Sequence, residues 1–153
     1  MSGNSEVTLQ SDPVVFTRSR TIEWGECDPA GIVYYPRFLE MFDANTNALF
    51  KHVTGMGKPE IQKTYDVVGW PIVNSEARFQ APATYGDEVQ ISSHVVRFGG
   101  SSIEIYHRIA HSDGSLIAEG TDTRVWAGRD PDKPLGLKAR PLPQEFTARF
   151  FAA

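Results

Sequence analysis

Residues 24–38 read W-G-E-C-D-P-A-G-I-V-Y-Y-P-R-F, from Trp24 to Phe38. Aspartate, proline and glycine stand at the first, second and fourth positions of Asp28-Pro29-Ala30-Gly31. This is the pattern of a type I turn, in which proline presets φ and the aspartate side chain accepts from the turn's amides. Pro36 is placed to open a helix, because the first helical residue has no use for an amide proton. The stretch therefore sets the Asp28 carboxylate beside free backbone N–H groups and the positive end of a helix, an arrangement able to act on a carbonyl. Such a turn before a helix also occurs as plain structure, so local chemistry leaves both readings open.

Downstream of the turn, Phe38, Phe42, Leu49 and Val53 recur at helical spacing to about Thr54, and Met41, Ala48, Leu39 and Phe50 widen the apolar stripe past half the circumference. A helix that apolar is expected to be wrapped by a sheet. Glu40, Asp43, Asn47 and Lys51 mark its solvent side, and Gly55, Gly57 and Pro59 supply the stop. Asn45, Thr46 and His52 interrupt the apolar sector and read as hydrogen-bonded core groups or pocket lining. A second short piece, helical or irregular, is expected over Pro59 to Val68.

Upstream, Val14 to Trp24 reads as a strand, preceded by a polar, aperiodic tail over residues 1–13. Beyond Gly69-Trp70-Pro71 the pattern turns to strands: Ile72–Ala81, Glu88–Phe98, Ser102–His111 and Leu116–Trp126, divided by Pro82-Ala83, Gly99-Gly100 and Asp113-Gly114. They read as a consecutive antiparallel meander. After Gly128 the prolines argue against regular structure until a closing segment at Gln144 to Phe151. The expected fold is α+β: a curved antiparallel sheet of about five strands wrapped around one long central helix, residues 14–153 forming one domain. The edges of such a sheet need covering, and pairing of two subunits supplies it.

Composition bounds the function. With 153 residues, 41% of them hydrophobic, the chain can bury one proper core. A formal charge of -4 and no run of lysine and arginine speak against nucleic acid, and no segment has the apolar length of a membrane span or signal core. The single cysteine, Cys27, excludes an internal disulfide or a thiolate zinc cluster and fits a reducing, cytoplasmic setting. Cys27 beside Asp28 is a conceivable thiolate nucleophile, but no histidine lies nearby in sequence. His107 and His111 would stand roughly 13 Å apart along a strand, which disfavours a shared metal. No glycine-rich phosphate loop, serine elbow or Ser-His-Asp pattern is visible.

The order strand, motif, helix, strands, together with G-E-C-D-P-A-G-I-V-Y-Y-P-R-F and the later G-W-P-I-V, resembles the hotdog-fold acyl-CoA thioesterases of the 4-hydroxybenzoyl-CoA thioesterase type. The resemblance spans Phe16 to Trp126 and implies an acyl-CoA substrate, no cofactor, and Asp28 as the catalytic carboxylate. It further implies that the backbone N–H of Tyr35 polarises the thioester carbonyl. Asp28 would act as nucleophile or as general base on water. Trp24, Tyr34, Tyr35, Trp70 and Pro71 are candidate walls for an aromatic acyl group, although large aromatics beside a helix are also ordinary core. Contacts to the coenzyme A phosphates are implied over Val96 to Ser101, where Arg97 is the basic residue; Arg124, Arg129, Lys133, Lys138 and Arg140 are further candidates. Hotdog subunits pair so that one completes the other's site, which implies a homodimer at least and a homotetramer in the full assembly. Two other readings stand beside this one: a hydrolase of aliphatic acyl-CoA or acyl-carrier-protein thioesters, and an acyl-CoA-binding protein without catalysis.

Overall fold

The computed structural model describes residues 12–152, so most of the expected N-terminal tail lies outside the described residues. Strand β1 (Phe16–Thr21) is followed by a 3-10 turn (Trp24–Glu26), the long helix α1 (Pro36–Thr54) and the short helix α2 (Lys58–Tyr65). Then come β2 (Ile72–Phe79), β3 (Glu88–Phe98), β4 (Ser102–His111) and β5 (Leu116–Val125), a small hairpin of β6 (Ala127–Arg129) and β7 (Leu137–Ala139), and the closing helix α3 (Gln144–Thr147). No described helix is long and apolar enough to cross a membrane.

The five long strands form one antiparallel sheet in the order β1-β3-β4-β5-β2. Only β3, β4 and β5 are the meander read from the sequence. β2 does not lie beside β3 but pairs with β5 across the sheet, Ala77 opposite Gly120 and Phe79 opposite Ala118. Residues 80–87 therefore cross three strand spacings, roughly 14 Å, to reach β3. This link passes under the start of α1, where Val33 N–H donates to the Ala83 carbonyl (2.9 Å). A side chain at Gly120 would stand 2.6 Å from the Glu76 carbonyl and 3.0 Å from Phe42, so glycine is what lets β2, β5 and the helix meet.

Helix α1 buries Phe38, Met41, Phe42, Leu49 and Phe50 against the sheet. The apolar core falls into two clusters. One, at the N-terminal end of α1, gathers Phe38, Phe42, Ile91, Ile109 and Ile117. The other, at its C-terminal end, gathers Phe50, Trp70, Trp126, Phe146 and Phe150.

A row of polar groups also crosses the core, contributed by every strand of the sheet. Arg18 Nε donates to Asn45 Oδ1 (2.8 Å), and Asn45 Nδ2 donates to Ser93 Oγ (2.7 Å). His107 Nδ1 lies 2.7 Å from Ser93 Oγ and its Nε2 3.0 Å from Asp122 Oδ2. Ser75 Oγ and Arg124 Nη2 complete the shell around Asp122, and Arg124 continues to Asp43 (2.8 Å). The directions are fixed from one end. Arginine only donates, so the Asn45 amide turns its NH2 to Ser93; the serine hydroxyl then gives its own proton to Nδ1, and Nε2 donates to Asp122.

This row makes the fold acid-labile in a defined way. Burial pushes the Asp122 carboxyl up, but the hydrogen bond from His107, with Arg124 and Ser75, outweighs burial and holds it below the ordinary carboxylate value. A depressed native value gives stability that is complete above the unfolded value, about pH 4, and is lost as pH falls through the native one. Thermal melts between pH 5 and pH 2 are expected to show a steeper loss for the wild-type protein than for Asp122→Asn; parallel curves would remove Asp122 as the source.

Several local expectations change. The strand read to Trp24 stops at Thr21, because Glu23 and Glu26 close a capping box around the Trp24 turn. Asn47 leaves the solvent side to accept the Trp70 indole N–H (3.1 Å). His52 is exposed and rests on Phe16 instead of joining the core. The proline-rich tail holds the β6–β7 hairpin, with Ala127 opposite Ala139.

Candidate active site

The Asp28 turn forms as its sequence dictates. Gly31 N–H donates to the Asp28 carbonyl (2.8 Å) and Ala30 N–H to Asp28 Oδ1 (2.9 Å). Gly31 sits at φ +84°, which its neighbours in the turn would reach only with strain. The flanks pair across the turn, Asp28 N–H to Ile32 O and Tyr34 N–H to Glu26 O, both at 2.9 Å. One carboxylate oxygen is thus held by the turn. Asp28 Oδ2 has no hydrogen-bond partner among the described residues.

Helix α1 starts immediately after this loop. Arg37 N–H bonds back to Tyr34 O and Phe38 N–H to Tyr35 O, and Pro36 has no amide proton. That leaves the Tyr35 N–H as a donor without a partner among the described residues, at the positive end of a 19-residue helix. An uncommitted carboxylate oxygen and an uncommitted amide, seven residues apart in one short loop, are the two groups that attack on a carbonyl requires.

Asp28 lines a cleft of about 500 Å³ together with Trp24, Cys27, Pro29, Gly31, Thr84 and Tyr85. Trp24 is 76% exposed and meets Tyr85 edge to face, ring centroids 5.7 Å apart. The Tyr85 turn is tied to the Asp28 turn by Thr84 Oγ1 donating to Gly31 O (2.6 Å). Cys27 is partly buried, its sulfur 3.9 Å from the Glu23 carbonyl oxygen. On the other side of the loop, a second cleft of about 340 Å³ runs between Tyr35, Phe38 and Phe79.

Of the residues singled out from sequence, Trp24 shares the Asp28 cleft, Tyr34 and Tyr35 stand edge to face at the end of the same loop with Tyr35 on the second cleft, and the others lie elsewhere. Trp70 is 2% exposed, stacked on Trp126 in the far core cluster, and Pro71 follows it on that side. Within its own protomer Trp70 is therefore a core side chain and no wall of the Asp28 cleft. Arg97 ends β3 at the same far end, beside Glu104 (3.5 Å). Trp70 bonds to Asn47, so about 17 Å of α1 lies between it and the start of the helix beside the Asp28 loop. Arg124 is buried in the polar row. Thr84, Tyr85 and Phe79 were not singled out from sequence; the crossing link brings Thr84 and Tyr85 to the loop, and the pairing of β2 with β5 brings Phe79.

Ser93, His107 and Asp122 also form a hydrogen-bonded row that the sequence did not reveal. It is fully enclosed, with serine on Nδ1 and aspartate on Nε2, the reverse of a serine hydrolase triad. The row is core structure and does not reach substrate.

Comparison with known proteins agrees with this geometry. The family model of the thioesterase-like superfamily matches residues 22–150, and the chain belongs to that superfamily. It is similar to the 4-hydroxybenzoyl-CoA thioesterase of Pseudomonas sp. strain CBS-3, 29% identical over 137 residues, or 85% of this chain and 93% of the relative. A 1,4-dihydroxy-2-naphthoyl-CoA hydrolase of Crocosphaera subtropica is 30% identical over 112 residues, covering 71% and 80% of the two chains. Among solved structures, the Pseudomonas thioesterase superposes with a TM-score of 0.81 at 27% identity, over 88% of this chain and 98% of that one. A variant of that enzyme complexed with 4-hydroxybenzoyl-CoA gives the same score at 26% identity, over 89% and 98%. The fold is the hotdog fold, and the chain is an acyl-CoA thioester hydrolase of that class.

Proposed function

We propose that the protein hydrolyses the thioester of an aromatic acyl group with coenzyme A, of the 4-hydroxybenzoyl type, at Asp28. The observation that carries this reading is that one short loop holds both a free Asp28 carboxylate oxygen, at an aromatic-lined cleft, and the free Tyr35 N–H. The Tyr35 amide and the helix end receive the charge that builds on the carbonyl oxygen. Asp28 attacks the carbonyl carbon, the C–S bond breaks with coenzyme A leaving as thiolate, and water then cleaves the acyl anhydride; or Asp28 takes a proton from water, which attacks directly. Both routes end in free acid and coenzyme A. Trp24 and Tyr34 flank the path of the substrate. The aromatic class is supported by half-exposed rings on both sides of the loop, and by relatives whose names specify aromatic acyl-CoA substrates.

Trp70, Pro71 and Arg97 serve substrate only if they approach from another subunit. Strand β2 supports such an assembly, since it is an edge strand with Ile72 and Val73 exposed. The working unit is a homodimer, doubled in a homotetramer. Light scattering at micromolar concentration is expected to give a dimer or tetramer mass; a monomer would contradict this. The substrate class is tested by thiol release from a panel of acyl-CoAs. Faster turnover of 4-hydroxybenzoyl-CoA than of straight-chain thioesters is expected, and the reverse order would move the reading to aliphatic substrates. Tight binding of every thioester without thiol release would make the protein a binder.

A further inference from the structure

The loop from Asp28 to Tyr35 has a cleft on either side, and a thioester has two arms to place. The arm of coenzyme A is chain-like and carries amides; an aromatic acyl group is flat and needs apolar faces. The cleft on the Asp28 side keeps polar tips, the Trp24 indole N–H and the Tyr85 hydroxyl, both without hydrogen-bond partners among the described residues. On the Tyr35 side the walls are mostly hydrocarbon, Gln80 adding an amide. Phe38 is its buried floor, Phe79 lies over it with centroids 6.1 Å apart and planes 30° from parallel, and Tyr35 meets Phe79 nearly edge-on at 5.8 Å.

We infer that Phe79 is the residue that selects an aromatic acyl group, its half-exposed ring, packed on Phe38, forming one flat wall of a slot beside the Tyr35 amide. This rests on the thioesterase reading above and adds a residue to it. The slot is held from two elements, since Phe38 belongs to the first turn of α1 and the Phe79 backbone pairs with Ala118 in the sheet. Phe79 keeps 47% of its surface exposed at the sheet edge, which is more than core packing explains for a side chain of its size. A carbonyl at the Tyr35 N–H would direct one arm into this slot and leave the sulfur arm for the side of Trp24 and Tyr85.

The test measures kcat and KM for 4-hydroxybenzoyl-CoA and octanoyl-CoA with the wild-type protein, Phe79→Leu and Phe79→Tyr. Phe79→Leu keeps an apolar side chain and loses the flat ring, so kcat/KM for the aromatic thioester is expected to fall about tenfold or more while the aliphatic one stays within about threefold. Phe79→Tyr keeps the flat ring, so the ratio of the two kcat/KM values is expected to stay within about threefold of wild type. Equal losses on the two thioesters, or no loss on either, would overturn the role of Phe79. The two levels fail separately: a wild-type enzyme without aromatic preference removes the substrate reading and this proposal together. A wild-type preference that survives Phe79→Leu removes Phe79 alone.

Discussion

Asp28→Asn is expected to lower kcat for acyl-CoA hydrolysis at least about a thousandfold while KM stays within about threefold. The substitution is close to isosteric, and the asparagine oxygen can still accept the Ala30 N–H that now reaches Asp28 Oδ1 at 2.9 Å. The turn is thereby kept. What disappears is the anionic oxygen, and an amide neither attacks a thioester carbonyl nor accepts a proton from water at neutral pH. Activity that remains traces to the Tyr35 amide and the helix end, which the change leaves in place. Steady-state thiol release measures it; a loss under tenfold would place the chemistry on another group.

His107→Ala is expected to destabilise the fold by about 3 kcal/mol or more, lowering the melting temperature by roughly 6–12 °C. Three losses coincide there. The imidazole stacks on Phe42 with centroids 4.7 Å apart, so truncation leaves a hole under the helix. Ser93 and Asp122, both buried, also lose their partners, and the Asp122 charge remains in place with only Ser75 and Arg124 to meet it. Breaking such a set from one side costs far more than the set contributes over an apolar replacement. Thr17→Ala, on the exposed face of β1, serves as the control and is expected to change stability by less than about 0.5 kcal/mol. Chemical or thermal unfolding followed by circular dichroism reads both, and equal stability of the two variants would contradict this account of the core.

The helix and the four later strands were legible because each carries its own periodicity. Pro36 and Gly55 bound α1 chemically, and the alternation of Val89, Ile91 and Val95 bounds β3. Strand partners are a different matter, since alternation says which face is buried and not which neighbour a strand takes. That is why β2 was placed beside β3 when it pairs with β5. The β6–β7 strands, three residues each, are too short for a pattern to register among the prolines.

The site was legible at its centre for the same local reason. Asp28, Gly31 and Pro36 act through bonds inside one loop, so their roles follow from spacing. Trp70 and Trp24 look alike in sequence, yet one is sealed against Trp126 and the other stands in solvent at the cleft. Tyr85 reaches the loop because the crossing link is pinned by Val33 and Ile32, and Phe79 because β2 pairs with β5, contacts no local pattern encodes. The polar row is hidden likewise, since its members come one or two at a time from six separate elements.

The most direct test of Asp28 catalysis mixes Asp28→Asn with 4-hydroxybenzoyl-CoA and follows, in one experiment, heat of binding and free thiol, with the wild-type protein alongside. The account predicts rapid thiol release by the wild type, and for the variant a saturable complex of uncleaved thioester with no thiol above background. Thiol released by Asp28→Asn at the wild-type rate would contradict it.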